Sequence, residues 1–74
     1  MTKLICIKDY FENYFGKYEL ICKKGDIYFG NDVMGYNCYD IYDEDDVHIG
    51  WVGVENFLTI AEWRSNQINS IIND

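Results

Sequence analysis

Short extended runs of apolar, β-branched and aromatic residues occupy most of the first 60 positions, a pattern that is typical of β-strands. The predicted strands are 3–8, 18–22, 27–29, 36–43 and 48–52. Turn-forming sequences lie between them: Lys23-Lys24-Gly25-Asp26, Gly30-Asn31-Asp32 and the acidic tetrapeptide Asp43-Glu44-Asp45-Asp46. The pattern predicts a mainly β domain in which the acidic tetrapeptide forms the tip of a hairpin.

Two segments are harder to assign from periodicity. The aromatic stretch 10–16 follows neither the strand period nor the helix period, so we expect a long loop that packs on the strands through its aromatic rings. The segment 36–43 alternates well, but both of its faces carry aromatic residues. Tyr36 and Tyr42 share one face and Tyr39 lies on the other, and the alternation leaves open which face is buried.

A helix is predicted at the C-terminal end of the sequence. Thr59-Ile60-Ala61-Glu62 has the spacing of a capping box, in which the Thr59 hydroxyl accepts the Glu62 amide and the Glu62 carboxylate reaches back. The helix should run from Ile60 to about Ile72. Five residues share its apolar face: Ile60, Ala61, Ile68, Ile71 and Ile72.

Two interpretations of this helix stay open because Arg64 falls inside or beside the apolar face. In the first, Arg64 extends over the strands and pairs with a carboxylate. In the second, the first half of the helix docks on the strands through Ile60 and Trp63. The second half then offers an apolar patch to a partner or a second copy: Ile68, Ile71 and Ile72.

The composition indicates one small, acidic domain. The chain has 74 residues, 18% of them aromatic, and a formal net charge of −7 from 13 acidic and 6 basic side chains. Such a surface repels phosphate backbones and anionic lipid, so we expect no direct nucleic-acid binding and no membrane binding. A protein partner with a basic surface, or with a groove that normally holds nucleic acid, fits the sign of the charge.

Three cysteines, Cys6, Cys22 and Cys38, give no disulfide framework, because their number is odd and none belongs to a C-x-x-C pair. We interpret them as reduced and mostly buried thiols. No secretory leader and no apolar stretch of membrane-spanning length is present, so we expect a cytoplasmic protein.

Candidate chemistry is sparse. His48, the only histidine, lies beside the acidic tip, where it could pair with Asp45 or Asp46, and we interpret it as an exposed strand residue. The acidic run lacks the central glycine and final glutamate of a calcium-binding loop, so we interpret it as a solvated turn. We therefore predict no catalytic residues, no metal and no cofactor.

Three sequence blocks, in order, resemble Src-homology-3 (SH3) domains. Cys6-Ile7-Lys8-Asp9-Tyr10 is similar to the family's opening A-L-Y-D-Y block, and 19–26 is similar to its E-L-S-F-x-K-G-D block. The segment 50–57, Gly-Trp-Val-Gly-Val-Glu-Asn-Phe, is similar to G-W-V-P-x-N-Y with one extra residue. The helix start at 57–64 resembles small phage- and prophage-encoded proteins of the Gram-positive type.

The resemblance implies a five-stranded SH3-like small barrel over residues 1–60, followed by one C-terminal α-helix over 61–74, in a single domain. It also implies a peptide groove lined by aromatic ridges. Tyr10 and Phe57 match two ridge positions, whereas Lys8 and Gly53 replace a tyrosine and a proline of the family pattern.

The function that we predict is a non-enzymatic module, encoded by a phage or mobile element, that binds and inhibits or redirects a host protein. One alternative is an acidic nucleic-acid mimic that inhibits a host defence nuclease, and another is a self-assembling phage accessory protein. The predicted binding residues combine the ridge and surplus aromatic residues, the acidic tip and the helix patch: Tyr10, Tyr36, Tyr42, Asp43, Glu44, Asp45, Asp46, Trp51, Phe57, Ile68, Ile71 and Ile72.

Overall fold

The structure is a computed structural model that describes the backbone of residues 1–73 and the side chains of residues 1–67. Seven strands and a one-turn 3₁₀ helix at Val54–Asn56 precede one α-helix in this part of the chain. The bounds are β1 Thr2–Cys6, β2 Tyr10–Tyr14, β3 Lys17–Cys22, β4 Ile27–Val33, β5 Cys38–Tyr42, β6 His48–Gly53, β7 Phe57–Thr59 and α1 Ile60–Asn73. The predicted mainly β fold with a C-terminal helix is confirmed.

The strands form two antiparallel sheets. Five of them make a sheet in the order β6-β5-β4-β1-β7, and β2 and β3 make a separate two-stranded ribbon. Both sheets are open. Within residues 1–73, the end strands β6 and β7 of the larger sheet do not pair with each other, and no strand pairing joins the ribbon to that sheet. No helix in the described part of the chain is both long and apolar enough to cross a membrane.

The ribbon corrects the predicted loop at 10–16. Phe11 pairs with Leu20, and Asn13 pairs with Tyr18, so the aromatic stretch is a strand whose partner is the segment after Gly16. Aromatic residues favour strands, and cross-strand contacts supply the stabilisation that the irregular spacing hides. The predicted loop was wrong because the ribbon beyond its base is largely exposed on both faces, so no fully buried face imposes alternation there.

A second correction concerns the break predicted at 30–32. Strand β4 continues through these residues to Val33, and Asn31 pairs with Asp40 of β5. Gly30 is buried against Leu4 and Ile41. A glycine inside a strand often marks a close approach of neighbouring groups rather than a turn.

The core is small and joins the two sheets. Its buried members come from six strands: Leu4, Cys6, Cys22, Tyr28, Ile41, Val52 and Phe57. Phe57 packs edge-on against Tyr28 and Tyr39, with ring centroids 6.0 and 6.1 Å apart. Cys22 is the one ribbon residue in this set, so the ribbon meets the core at its base and projects beyond it.

The capping box at the start of α1 is confirmed. The Glu62 amide donates to the Thr59 hydroxyl, and the Thr59 amide donates to the Glu62 carboxylate, both over 3.1 Å. The helix contacts β7 and β1. Ile60 is half-buried, whereas Arg64 is exposed and has no carboxylate within ion-pair range among the described side chains.

The predicted helix patch is within α1, but the side chains of Ile68, Ile71 and Ile72 lie outside the described residues.

The first prediction concerns Gly30, where an added Cβ would lie 2.8 Å from a Leu4 methyl and 2.9 Å from an Ile41 methyl. We expect Gly30→Ala to lower the free energy of unfolding by about 1–3 kcal/mol, because overpacking displaces core side chains. Urea denaturation measures the change. Gly53→Ala is the matched control, since the atoms nearest to its added Cβ belong to the exposed Glu55 carboxylate, which can swing away. Equal losses in the two variants would contradict the packing argument.

The second prediction concerns the ribbon turn, which has two residues at positive φ, Phe15 at 51° and Gly16 at 84°. These angles match a type I′ turn, in which Asn-Gly is favoured and a bulky residue is strained. We expect Phe15→Asn to raise the free energy of unfolding by about 1 kcal/mol. Phe15→Ala is the control: it removes the ring but keeps a Cβ without the local hydrogen bonding of asparagine, and it should give no gain.

Candidate binding surface

The pairing of β5 decides which aromatic residues reach solvent. Ile41 is fully buried, so the alternating residues Asp40 and Tyr42 point away from the core. Asp40 pairs with Trp51, and Tyr42 pairs with His48 across the β5–β6 hairpin. The question that periodicity left open for 36–43 is thus answered, and the face carrying Tyr42 is the outer one.

Tyr36 and Trp51 contact each other on this outer face. Their ring centroids are 5.5 Å apart with a tilt of 47°, and the residues remain 68% and 55% exposed. Tyr36 lies in the turn between β4 and β5, where Asn37 takes a positive φ of 50°. The Val54 amide donates to the Asn37 carbonyl over 3.1 Å, which ties this turn to the 3₁₀ helix.

His48 lies at the other end of the same face. Its Nε2 atom is 2.5 Å from the Asp40 Oδ1 atom, and its ring is 4.9 Å from that of Tyr42. The predicted pairing with Asp45 or Asp46 is therefore corrected. Because a hairpin places residues on opposite strands side by side, the partner comes from β5 rather than from the adjacent turn.

We call these five residues the outer aromatic surface: Tyr36, Asp40, Tyr42, His48 and Trp51. The exposed His48–Asp40 pair adds little to stability by itself. Its geometric effect is to orient the two side chains beside the Tyr42 ring. The structure therefore brings together three predicted binding residues that are far apart in the sequence.

The acidic tip continues from the end of β5. Asp43 Oδ1 accepts the amides of Asp45 and Val47, both over 2.9 Å, so this carboxylate closes the turn. Asp46 takes a positive φ of 65°, which aspartate tolerates better than most residues. Glu44, Asp45 and Asp46 are exposed. Asp43 thus has a structural role, while the other three carboxylates face solvent.

The two predicted ridge residues differ in exposure. Phe57 is only 4% exposed and packs in the core, so no surface partner reaches it. Phe57 follows the 3₁₀ helix, is the first residue of β7 and pairs with Cys6 of β1. Tyr10 is half-buried at the ribbon base, where its hydroxyl contacts Glu12 at 3.3 Å. Burial, with the nearby Glu12 carboxylate, raises the pKa of the Tyr10 phenol.

Sequence reasoning missed the exposed apolar residues of the ribbon. Phe11, Tyr18 and Leu20 share one ribbon face, and Phe15 stands fully exposed at the tip. The sequence feature that could have indicated the hairpin is Phe15-Gly16, a possible two-residue turn between two aromatic stretches. It was hidden because the two-residue hairpin turn normally carries asparagine or aspartate before the glycine.

The thiols do not provide a reactive nucleophile in the core. Burial raises the pKa of Cys22 to about 12 and also raises that of Cys6. The Cys6 thiol donates to the Lys8 carbonyl over 2.9 Å. Since the thiolate is the reactive form, both groups are inert at neutral pH. Among the described residues, no three histidine, cysteine or acidic side chains are grouped as metal ligands.

The chain shows no match to a protein family, to a curated protein or to a solved structure. The SH3 resemblance therefore rests on the three sequence blocks themselves.

The third prediction concerns thiol reactivity. We expect iodoacetamide to label the half-buried Cys38 in the folded protein well before the fully buried Cys6 and Cys22. A pKa raised from 9.0 to about 12 lowers the thiolate fraction of Cys22 about a thousandfold near neutral pH. Peptide mass spectrometry after short labelling times measures each site. The unfolded protein is the control and should label at all three; early labelling of Cys22 in folded protein would contradict the assignment.

Proposed function

We propose that this chain is a non-enzymatic protein-binding module whose binding face is the outer aromatic surface. The observation that carries the proposal is the exposed contact between Tyr36 and Trp51. Tyrosine and tryptophan are enriched among the residues that dominate binding energy at interfaces. Their rings bury a large area and lose few rotatable bonds on binding.

The distribution of aromatic residues supports the same function. All 13 aromatic residues lie within residues 1–67, and of these only Tyr28 and Phe57 are buried. A domain this small needs its apolar area for the core, because a short chain buries a lower share of its surface on folding. Leaving Tyr36, Trp51 and much of the ribbon exposed is costly for solubility unless a partner covers them.

The outer aromatic surface is also preorganised. Trp51 is in a strand that pairs along its length with β5, and the Tyr36 turn is held by the Asn37–Val54 hydrogen bond. Side chains that already occupy their bound positions lose less conformational entropy on association. The paired backbone around both rings therefore favours affinity without any rearrangement of the domain.

A non-enzymatic role is consistent with the chemistry of the described side chains. In residues 1–67, His48 has a hydrogen bond to Asp40 but none to a hydroxyl or thiol. General-base activation of a nucleophile needs such a contact within hydrogen-bond reach. The two core thiols are protonated at neutral pH, as their raised pKa requires.

We also propose that the two open sheets form an SH3-like arrangement. Supporting this, the three matching blocks fall at the β1–β2 connection, along β3 and its turn, and from β6 into β7. Cys22 of the ribbon shares one core with Leu4, Ile41 and Val52 of the five-stranded sheet. Burying residues of both sheets in one core is how two open sheets pack face to face.

The partner that we propose is a host protein with a basic surface, and the chain inhibits or redirects it in the cytoplasm. The net charge of −7 supports the basic surface, and the resemblance to phage- and prophage-encoded proteins supports the host. Nucleic-acid mimicry is the second candidate, because Glu44, Asp45 and Asp46 are exposed and unpaired within residues 1–67. Self-assembly through Ile68, Ile71 and Ile72 is a third and depends on side chains outside the described residues.

The fourth prediction tests the outer aromatic surface by affinity capture from a Gram-positive lysate followed by mass spectrometry. We expect the Tyr36→Ala/Trp51→Ala variant to lose the protein that the unmodified chain captures, with the Kd weakened at least about tenfold. Circular dichroism checks that the variant is folded. Trp63→Ala is the matched control, since Trp63 is a partly exposed tryptophan on α1, whose main contacts are with β7 and β1.

Two results would contradict the proposal. One is a folded double variant that binds the captured protein with unchanged Kd. The other is a loss of binding that is equal in the Trp63→Ala control, which would show that any surface tryptophan matters. Loss of capture on neutralising Glu44, Asp45 and Asp46, with the aromatic variant unaffected, would favour the nucleic-acid mimic instead.

A further inference from the structure

An open groove of about 640 Å³ lies between the turn after β3 and the acidic tip. Six of its lining residues define it: Ile21, Asp26, Ile27, Glu44, Asp45 and Ile49. None of these belongs to the outer aromatic surface, so the groove is a separate feature of the molecule. It is assembled from two chain segments, 21–28 and 43–49, that meet only in the folded structure.

The groove has an apolar floor and an acidic rim. Ile21, Ile27 and Ile49 are half-buried, and the first and last pack against the core. Glu44 and Asp45 are exposed above them, and Asp26 stands exposed on the opposite turn. Charges of one sign that are gathered at one groove favour the approach of a ligand of the opposite charge.

The rim carboxylates are not neutralised within the chain. In residues 1–67, the ion pair found is His48–Asp40, which lies outside the groove. Lys23 and Lys24 lie in the same turn as Gly25 and Asp26, but they line neither the floor nor the rim of the groove. Asp43 also borders the groove, but its carboxylate already closes the hairpin turn. Three carboxylates therefore remain available to a ligand from outside.

We propose that this groove binds a lysine- or arginine-bearing segment of a partner protein. The aliphatic stem of such a side chain covers the isoleucine floor while its cationic head reaches the rim. The carboxylates of Asp26, Glu44 and Asp45 accept the charge-assisted hydrogen bonds of the head. A metal ion does not fit, because within the described residues these side chains form no cluster with ligand geometry.

The acidic rim and the isoleucine floor of the groove each restrict which side chain can bind. The rim sets the sign of the ligand charge, and the floor requires an alkyl stem long enough to lie on Ile21, Ile27 and Ile49. A short cation satisfies the rim alone and leaves the floor hydrated. Because the groove shares no residue with Tyr36 or Trp51, this inference stands or falls independently of the proposed binding face.

The fifth prediction is tested with the full ¹⁵N-labelled chain, titrated with acetyl-Lys-Leu-Lys-amide and followed by amide shifts in NMR. We expect the shifts to concentrate at Gly25, Asp26, Ile27, Glu44 and Asp45. Replacing both lysines of the probe by diaminobutyric acid shortens the stem, and at mildly acidic pH, where the amines of both probes are protonated, it keeps the charge. That probe should bind about tenfold more weakly, because its cationic groups reach the rim without covering the floor.

The matched variants separate this site from general attraction to an acidic protein. The triple variant Asp26→Asn/Glu44→Gln/Asp45→Asn should weaken binding of the lysine probe about tenfold. The control removes three exposed carboxylates elsewhere: Glu19→Gln/Asp32→Asn/Glu55→Gln. It should change the affinity by less than about twofold, because distant exposed charges are screened by salt.

Three outcomes would overturn the inference: shifts spread over the whole surface, equal weakening by the two triple variants, or equal affinity for the long and short probes. Either of the first two results would mean that the probe binds through the net charge of the protein alone. The third would mean that the isoleucine floor contributes nothing to binding. The NMR spectra of the free variants show directly whether each one is folded, so a folding failure is not mistaken for lost binding.

Discussion

The burial of one face of β5 is the constraint on which the rest of the structure depends. Ile41 is fully buried, and Gly30 of β4 lies opposite it, where a side chain would collide with the Ile41 and Leu4 methyl groups. Because strand side chains alternate, this register turns Asp40 and Tyr42 to the outside. A slip of one residue would exchange the core and the outer aromatic surface, so the stability of the fold and the exposure of these rings depend on the same register.

The small core explains why so much apolar surface remains outside. Phe57 and Tyr28 are buried in the same core cluster as Leu4 and Val52, and Tyr10 and Tyr39 pack against that cluster from its edge. The ribbon meets this core only at its base, so its exposed part is stabilised mainly by its own cross-strand pairs. The molecule therefore combines a small packed centre with exposed apolar side chains on the ribbon and on the outer aromatic surface.

Charge and aromatic surface are arranged on different parts of the same hairpin. The β5–β6 strands carry the outer aromatic surface, and their connecting turn supplies Glu44 and Asp45 to the acidic groove. Asp43 and the positive φ of Asp46 hold that turn in shape. One rigid hairpin can thus present aromatic contacts on its face and carboxylates at its tip, which suits a partner whose surface is both apolar and basic.

The sequence by itself determined the mainly β class, the acidic hairpin tip and the helix start at Ile60, because turn residues and the Thr59–Glu62 capping box act over a few positions. Only the tertiary structure decided that 10–14 is a ribbon strand, that β4 runs through Gly30, and that Phe57 is a core residue rather than a ridge residue. The tertiary structure also brought Tyr36 to Trp51 and His48 to Asp40. These outcomes depend on pairing between distant segments and on which face is buried, and local spacing contains neither.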